Sequence, residues 1–444
     1  MKTSLEDITS VKKKLIVEIE SKEVDKKLNA AYRELGKKAK IPGFRPGKVP
    51  RKILERRFED DVLDDVTRDL INESFPKAIQ KMDTMPLGTP SLEKEILKQG
   101  QEFKYSAVIE VRPQFEVTDY LGLEVEKEKY SISDKDIDAR IEQIRQSNGK
   151  LNVINSERPV QKDDYVVLDY DVFEDDRLLE DMKKTNFLLQ LGGNGVHPQL
   201  EEGLIGLNKD DEAEIDVAFE ETYGNSELAG KNVKYKVKVN DIKELAIPKL
   251  DDEFAVSLGA DFKDLADLRN KMSETIENQE ESRTDREMKA RLLGKITDSI
   301  DFESPQILIE SELDYAVENF KQTLMQSGAN LEQTGITEEK LRTDFRPASE
   351  RRVKEMLVLE EIAKKDKITV DEADLEAGFK NMAVSMGQEP EIVRQYYEAR
   401  GLIDSFKDKL VEEKTLNYLV ENAKVLEVAR DELSENKNAE KEIT

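Results

Sequence analysis

Apolar positions along this chain change period several times, and each change marks a different kind of element. Val11 to Ile19 reads as a strand, after which Val24, Leu28, Ala31, Tyr32 and Leu35 fall on one stripe of a helix. Pro50 suits the opening of a second helix, because a proline there forfeits no intrahelical hydrogen bond. Ile53, Val62, Val66, Leu70 and Ile71 carry that helix toward Phe75, and Phe103 to Val111 alternates as a returning strand. Residues 1–115 are therefore expected to form an α+β module with a long loop between its two helices.

Residues 116–152 hold helically spaced Ile132, Ile137, Ile141 and Ile144 but little else apolar, and read as a partly helical linker. Beyond them the period becomes two. Val166, Leu168, Tyr170 and Val172 alternate with outward positions, as do Ala213, Ile215, Val217 and Phe219, and Val233, Tyr235, Val237 and Val239. With turns at Gly192–Gly195 and Gly224–Asn225, residues 153–245 predict a small antiparallel sheet domain. Residues 246–430 then read as almost wholly helical: Ile309, Leu313, Val317, Phe320 and Leu324 form one stripe, and Leu375, Phe379, Met382 and Met386 another. The tail, residues 431–444, is too polar to fold. The predicted class is multidomain α+β with an all-α C-terminal region.

A length of 444 residues fits roughly three domains, and with 38% charged against 37% hydrophobic residues the helical surface must be heavily solvated. The absence of cysteine excludes disulfides, thiolate metal sites and cysteine nucleophiles, while a single histidine, His197, nearly excludes zinc and His-based triads. No cofactor or metal is expected. The opening M-K-T-S-L-E-D-I-T-S is too polar for a signal-peptide core and no apolar run reaches bilayer length, so the expectation is a reducing, cytoplasmic setting without membrane contact. A net charge of −27 opposes general nucleic-acid binding. Yet Arg33 to Arg57 holds ten basic residues against Glu34 and Glu55, a net of +8 that leaves −35 for the remainder. One basic tip on an acidic body would face an RNA-rich partner with that tip.

The tip contains the octapeptide Gly43, Phe44, Arg45, Pro46, Gly47, Lys48, Val49 and Pro50. Its glycines permit tight backbone and its prolines stiffen the chain, so Phe44 projects between Arg45 and Lys48 with few conformations to lose. A Walker-type phosphate loop would need G-x-x-x-x-G-K-[ST], which is absent. From composition alone a rigid helix-to-helix connection is the better account of the loop. G-F-R-P-G-K-V-P, however, resembles the ribosome-docking signature G-F-R-x-G-K-x-P of the bacterial trigger factor family, in the expected place between two helices, and the similarity of domain order extends to about residue 430. The resemblance implies that Phe44, Arg45 and Lys48 contact a ribosomal protein and adjacent rRNA beside the exit tunnel. It also implies that the chain is an ATP-independent chaperone that holds nascent, unfolded polypeptides, with a homodimer off the ribosome as an open alternative.

Through D-Y-V-V-L-D-Y, G-L-I-G-L at Gly203 to Leu207 and Y-G-N-S-E-L-A-G-K at Tyr223 to Lys231, residues 153–245 resemble an FKBP-type peptidyl-prolyl isomerase. The cleft that this implies is lined by Tyr170, Leu179, Glu180, Phe187, His197, Leu200, Phe219, Tyr223 and Tyr235. Where the family usually shows an apolar residue followed by Pro-Gly-Phe, this chain has His197-Pro198-Gln199-Leu200, and Leu179 replaces a common aromatic, so some flat ring area is lost. Ordinary core packing accounts for Tyr170, Phe187, Phe219 and Tyr235 as well as a pocket does. In the helical region packing is the leading account of each of Phe320, Met325, Met356, Phe379, Met382 and Met386 taken singly, while the resemblance implies two arms and a client cradle for which they are the candidate contacts. Two other functional readings stand against the docked chaperone. One is a free isomerase whose flanking domains recruit substrates; the other, a periplasmic chaperone with similar arms, would call for a secretory signal.

Overall fold

The computed structural model describes the chain except residues 43, 45–46, 155–157, 176, 194–196, 222, 224–227, 260, 431 and 434–444. Its elements run β1 (Lys2–Asp7), β2 (Lys12–Ile19), α1 (Ser21–Lys38), α2 (Arg51–Lys81), β3 (Pro86–Lys94), β4 (Phe103–Val111), β5 (Glu124–Glu128), α3 (Asp134–Ser147), β6 (Lys150–Val153), β7 (Tyr165–Glu174), β8 (Arg177–Leu178) and β9 (Lys184–Gln190). They continue with α4 (Pro198–Leu204), β10 (Glu212–Ala218), β11 (Asn232–Ala246), α5 (Asp252–Ser257), α6 (Leu265–Asp298), α7 (Gln306–Gln326), α8 (Leu331–Thr334), α9 (Glu338–Asp366), α10 (Glu372–Met386), α11 (Pro390–Ala399), α12 (Ile403–Glu421) and β12 (Lys424–Val428). Two compact units result, one of Met1–Lys129 with Thr284–Thr444 and one of Tyr130–Arg283.

In the first unit an antiparallel sheet, ordered β1-β2-β4-β3, follows from strict alternation on its two central strands. Leu15, Val17 and Ile19 of β2 and Phe103, Tyr105, Ala107 and Ile109 of β4 all turn inward, sharing one core with Val24, Leu28 and Tyr32 of α1 and Leu54, Val66 and Leu70 of α2. Each buried valine, leucine, isoleucine or phenylalanine among them contributes about 1.5–3 kcal/mol. The helical part of the unit closes around Val117, Tyr120, Val125, Leu292, Ile296, Val358, Ile362 and Leu419. Here β12 pairs parallel with β5, Lys424 opposite Glu124, so two segments far apart in sequence share a ladder. Helices α7 and α9 pack through Leu313, Val317 and Leu341, and their seam is tied by Arg346 to Glu310 at 2.7 Å. Helices α10, α11 and α12 enclose Leu375, Phe379, Val393 and Phe406.

In the second unit the strands order β10-β11-β7-β8, with β6 on β11 and β9 on β7. Val166, Leu168 and Val172 of β7 join Val217, Val233, Val237 and Val239 beneath Leu200 and Leu204 of α4. Gly203 allows α4 to lie close on β10, since a Cβ there would stand 2.7 Å from Ile215 side-chain atoms. A second small core joins Ile137 and Ile141 of α3 to Phe254 of α5 and Leu268 of α6.

Candidate functional site

The loop from Ala39 to Pro50 is anchored at both ends. Ala39 and Ile41 are buried in the sheet–helix core, Val49 packs against it, and the Gly47 N–H donates to the Gly36 carbonyl at 3.1 Å. Gly47 takes φ +79°, a conformation that side chains resist. Phe44, its N–H bonded to the Ile41 carbonyl at 3.1 Å, keeps 39% of its surface exposed, and Lys48 is exposed as well. Gly43, Arg45 and Pro46 lie outside the described residues. Pro50 caps α2, and Arg51 stacks its guanidinium 5.2 Å from the Tyr32 ring centre while pairing with Glu55 at 2.6 Å. The base of the loop is therefore fixed while an apolar ring and a cation stand in solvent.

The cleft of the second unit is built by a bulge. Leu168 faces Phe187 and Tyr170 faces Lys184, so Thr185 and Asn186 together oppose Asp169. Asn186 has φ +52°, and its N–H is held by the Asp169 carboxylate at 2.6 Å. The bulge turns Phe187 edge-on to Tyr170 at 5.6 Å, and Tyr170 in turn lies 5.6 Å from Tyr235. A second ring cluster adjoins it. His197 meets Phe219 edge-on at 5.0 Å, and Phe219 lies 4.5 Å from Tyr223. His197 caps α4, its Nδ1 accepting the Gln199 N–H at 3.3 Å, and Gln199 Oε1 accepts the Ala218 N–H at 2.8 Å, which ties the helix to the strand before Phe219.

Leu200, Phe219 and Tyr235 form the buried floor, Leu179 packs at its side, and Phe187 and Tyr223 are exposed at the rim. Glu180 opens the short turn Glu180–Met182 and is exposed. Among the described residues the hydroxyls of Tyr170, Tyr223 and Tyr235 have no hydrogen-bond partner, like that of buried Tyr32 but unlike those of Tyr105, which bonds Ser74 at 2.8 Å, and Tyr120, which bonds Asp366 at 3.0 Å. Burial raises the Tyr170 hydroxyl, and burial with the neighbouring Tyr170 and Tyr223 pushes Tyr235 up to about 12, so both remain proton donors. An apolar ring cluster that carries hydroxyl donors free of protein partners suits a peptide segment with exposed carbonyls.

Residues 1–144 match the family described as bacterial trigger factor protein, residues 264–421 the bacterial trigger factor C-terminus, and residues 156–240 the FKBP-type peptidyl-prolyl cis-trans isomerase. A trigger factor of Syntrophotalea carbinolica is 36% identical over 446 aligned residues, covering 99% of this chain and 100% of that one. The chain belongs to the trigger factor family. A further trigger factor, of Geotalea uraniireducens, is 34% identical with coverage of 98% and 100%. A solved structure described under "Promiscuous Substrate Recognition in Folding and Assembly Activities of the Trigger Factor Chaperone" aligns over 95% of this chain and 99% of that one, at 21% identity and a TM-score of 0.48. As a trigger factor the protein is a ribosome-associated chaperone with an FKBP-type domain. The multidomain α+β class expected from periodicity is the one found, with an α+β N-terminal region, an antiparallel sheet domain and a helical C-terminal region.

In this trigger factor's helical region the six candidate client contacts fall in different settings. Phe379 is 2% exposed, stacked 4.6 Å from Phe406, and is a core residue of the α10–α12 cluster. Phe320 packs against Phe345, and Met356 and Met382 are partly buried in neighbouring cores. Only Met325 and Met386, at the ends of α7 and α10, are largely exposed. Sequence reasoning missed Ile392 and Tyr396, which are 56% and 50% exposed on α11. The signal was present: Val393 and Tyr397 supply the inward stripe, so a second apolar pair one position earlier has no core to enter. Among the described residues no helix is long and apolar enough to cross a membrane.

Proposed function

We propose that this trigger factor docks through Phe44, Arg45 and Lys48, with Gly43, Pro46, Gly47, Val49 and Pro50 shaping the loop, on a ribosomal protein and adjacent rRNA at the exit tunnel, and that it isomerises prolyl bonds in the cleft of its FKBP-type domain. It works in the cytoplasm and holds emerging chains without ATP, with a homodimer off the ribosome left as the open alternative. The working division is 1–115 for docking, 116–152 as connection, 153–245 for isomerisation and 246–430 for clients, with 431–444 as tail. Exposed apolar side chains on the helical arms, Met325, Met386, Ile392 and Tyr396, supply the surface on which unfolded clients rest.

The observation that carries the isomerase reading is the set of three tyrosine hydroxyls left unbonded over an apolar floor. Rotation about the X-Pro bond faces a barrier of about 18–20 kcal/mol, most of it amide resonance. Leu200, Phe219 and Tyr235 exclude water from the imide, which favours the less polar twisted form, and the hydroxyls hold the flanking carbonyls while the prolyl ring turns. No nucleophile or proton transfer is needed. Two experiments test the proposal. The combined Phe44→Ala, Arg45→Ala and Lys48→Ala variant should fail to co-sediment with ribosomes; unaltered co-sedimentation refutes the docking assignment. The full chain should accelerate refolding of a protein limited by proline isomerisation; no acceleration at high concentration leaves the cleft a binding module.

A further inference from the structure

Helix α2 reverses its charge at a break in its own backbone. Phe58, at φ −136° and ψ 24°, is not helical and divides α2 in two. Before it, Arg51 to Arg57 carries four cations, Arg51, Lys52, Arg56 and Arg57, against Glu55 alone. Directly after it stand Glu59, Asp60, Asp61, Asp64 and Asp65 with no cation among them. The pairing pattern is as uneven as the charge. Arg51 is consumed by Glu55, Asn29 and the Tyr32 ring. Lys52, Arg56 and Arg57 are exposed, and among the described residues no carboxylate lies within ion-pair distance of any of them, nor of Lys38, Lys40 or Lys48.

In a chain of net −27, where ion pairs recur along most of the surface, cations left unpaired at one end and adjoining an acidic block mark a surface shaped for an external polyanion. Lys52 and Arg56, four residues apart, share one side of the helix, and Arg57 opens the adjoining flank just before the break at Phe58. That spacing suits neighbouring phosphates of a backbone and offers no groove for a peptide.

We infer that Lys52, Arg56 and Arg57 form a second RNA contact, beside the Phe44 loop, that grips the phosphate backbone of ribosomal RNA, and that the acidic residues after Phe58 stop this contact at the break. The inference rests on the docking reading above and deepens it: the loop fixes the place, and α2 sets the direction in which the helix leaves the RNA. Counter-ion release makes phosphate contacts visible as salt dependence, each contributing about 0.7–0.9 to the slope of log affinity against log salt.

The test is ribosome binding measured across a salt series for the wild type, for Phe44→Ala with Lys48→Ala, and for Lys52→Gln with Arg56→Gln and Arg57→Gln. The α2 triple variant is expected to bind more weakly at low salt and to lose roughly 2 units of slope. Because the chain has no cysteine, Lys52→Cys accepts a single photoreactive group, and illumination on ribosomes should yield a nuclease-sensitive adduct. An unchanged slope, or an adduct sensitive to protease alone, overturns the inference while leaving loop docking intact. If the wild type does not bind ribosomes, the docking reading falls and this inference with it.

Discussion

Replacing Tyr235 by phenylalanine removes one oxygen and separates what the ring does from what the hydroxyl does. The ring is 8% exposed and packs 5.6 Å from Tyr170 over the cleft floor, and phenylalanine keeps all of that contact. The hydroxyl, held protonated with a pKa of about 12, has no partner among the described residues. Its loss should therefore leave stability unchanged or raise it by a few tenths of a kcal/mol, up to about 1, since a polar group on a buried ring without a partner among the described residues is removed. If the hydroxyl donates to a substrate carbonyl, activity falls by one neutral hydrogen bond, about 0.5–1.5 kcal/mol, or roughly 2- to 12-fold in kcat/KM. Tyr105→Phe is the internal control: that hydroxyl bonds Ser74 at 2.8 Å in the other unit, so its loss should cost stability and spare isomerase activity. The assays are urea unfolding and kcat/KM on a prolyl peptide. Loss of more than about 1 kcal/mol of stability with unchanged kcat/KM would show that the Tyr235 hydroxyl is structural and refute the donor argument.

Arg158 holds the buried Asp164 through contacts of 2.6 and 2.8 Å, so Arg158→Met should cost about 1.5–3 kcal/mol, read by urea unfolding. Burial alone would raise Asp164, but the Arg158 guanidinium and the Gln161 N–H outweigh it and hold the carboxyl below its ordinary range. The pair's contribution is therefore complete above the unfolded value near about 4 and is lost as pH falls through the lower folded value, and Arg158→Met should flatten that acid dependence. Phe379→Ala empties the α10–α12 core and should destabilise it by about 3–5 kcal/mol, seen as faster hydrogen exchange in those helices. Ile392→Ser with Tyr396→Ser should change stability by less than about 0.5 kcal/mol yet weaken suppression of aggregation of an unfolded client, and equal suppression would remove α11 from the client surface.

What the sequence disclosed depended on how far each pattern was local. Strand β4 was legible residue for residue because Phe103 to Val111 alternates without interruption, and β2 differed from its expected start by one position. Strand β1 escaped: Leu5 is its single large apolar residue before a polar turn, as befits an edge that must not recruit a neighbour. Strand β3 carries Pro86, Gly88 and Pro90, which argue against a strand and are tolerated only because β3 is the other edge. The parallel pairing of β5 with β12 joins segments on either side of an entire second unit, and no window along the chain contains both. For the same reason Val117 and Val125, sparse among charges in sequence, are buried by α6, α9 and α12 rather than by neighbours.

The site divides along the same line. Aromatic alternation announced Tyr170, Phe219 and Tyr235 on their strands, but neither the bulge that turns Phe187 toward Tyr170 nor the tie from Gln199 to Ala218 has a periodic signature. Both depend on a polar side chain meeting one particular backbone N–H on another element, β7 to β9 in the first case and α4 to β10 in the second. The cleft departures look different in that light. His197 supplies the cap for α4 through Nδ1, a bond that an apolar residue at this position could not make, and its ring still meets Phe219. The histidine thus exchanges some apolar lining for a fixed helix start, and the cleft keeps its edge-on ring contact where a simple loss of packing would have removed it.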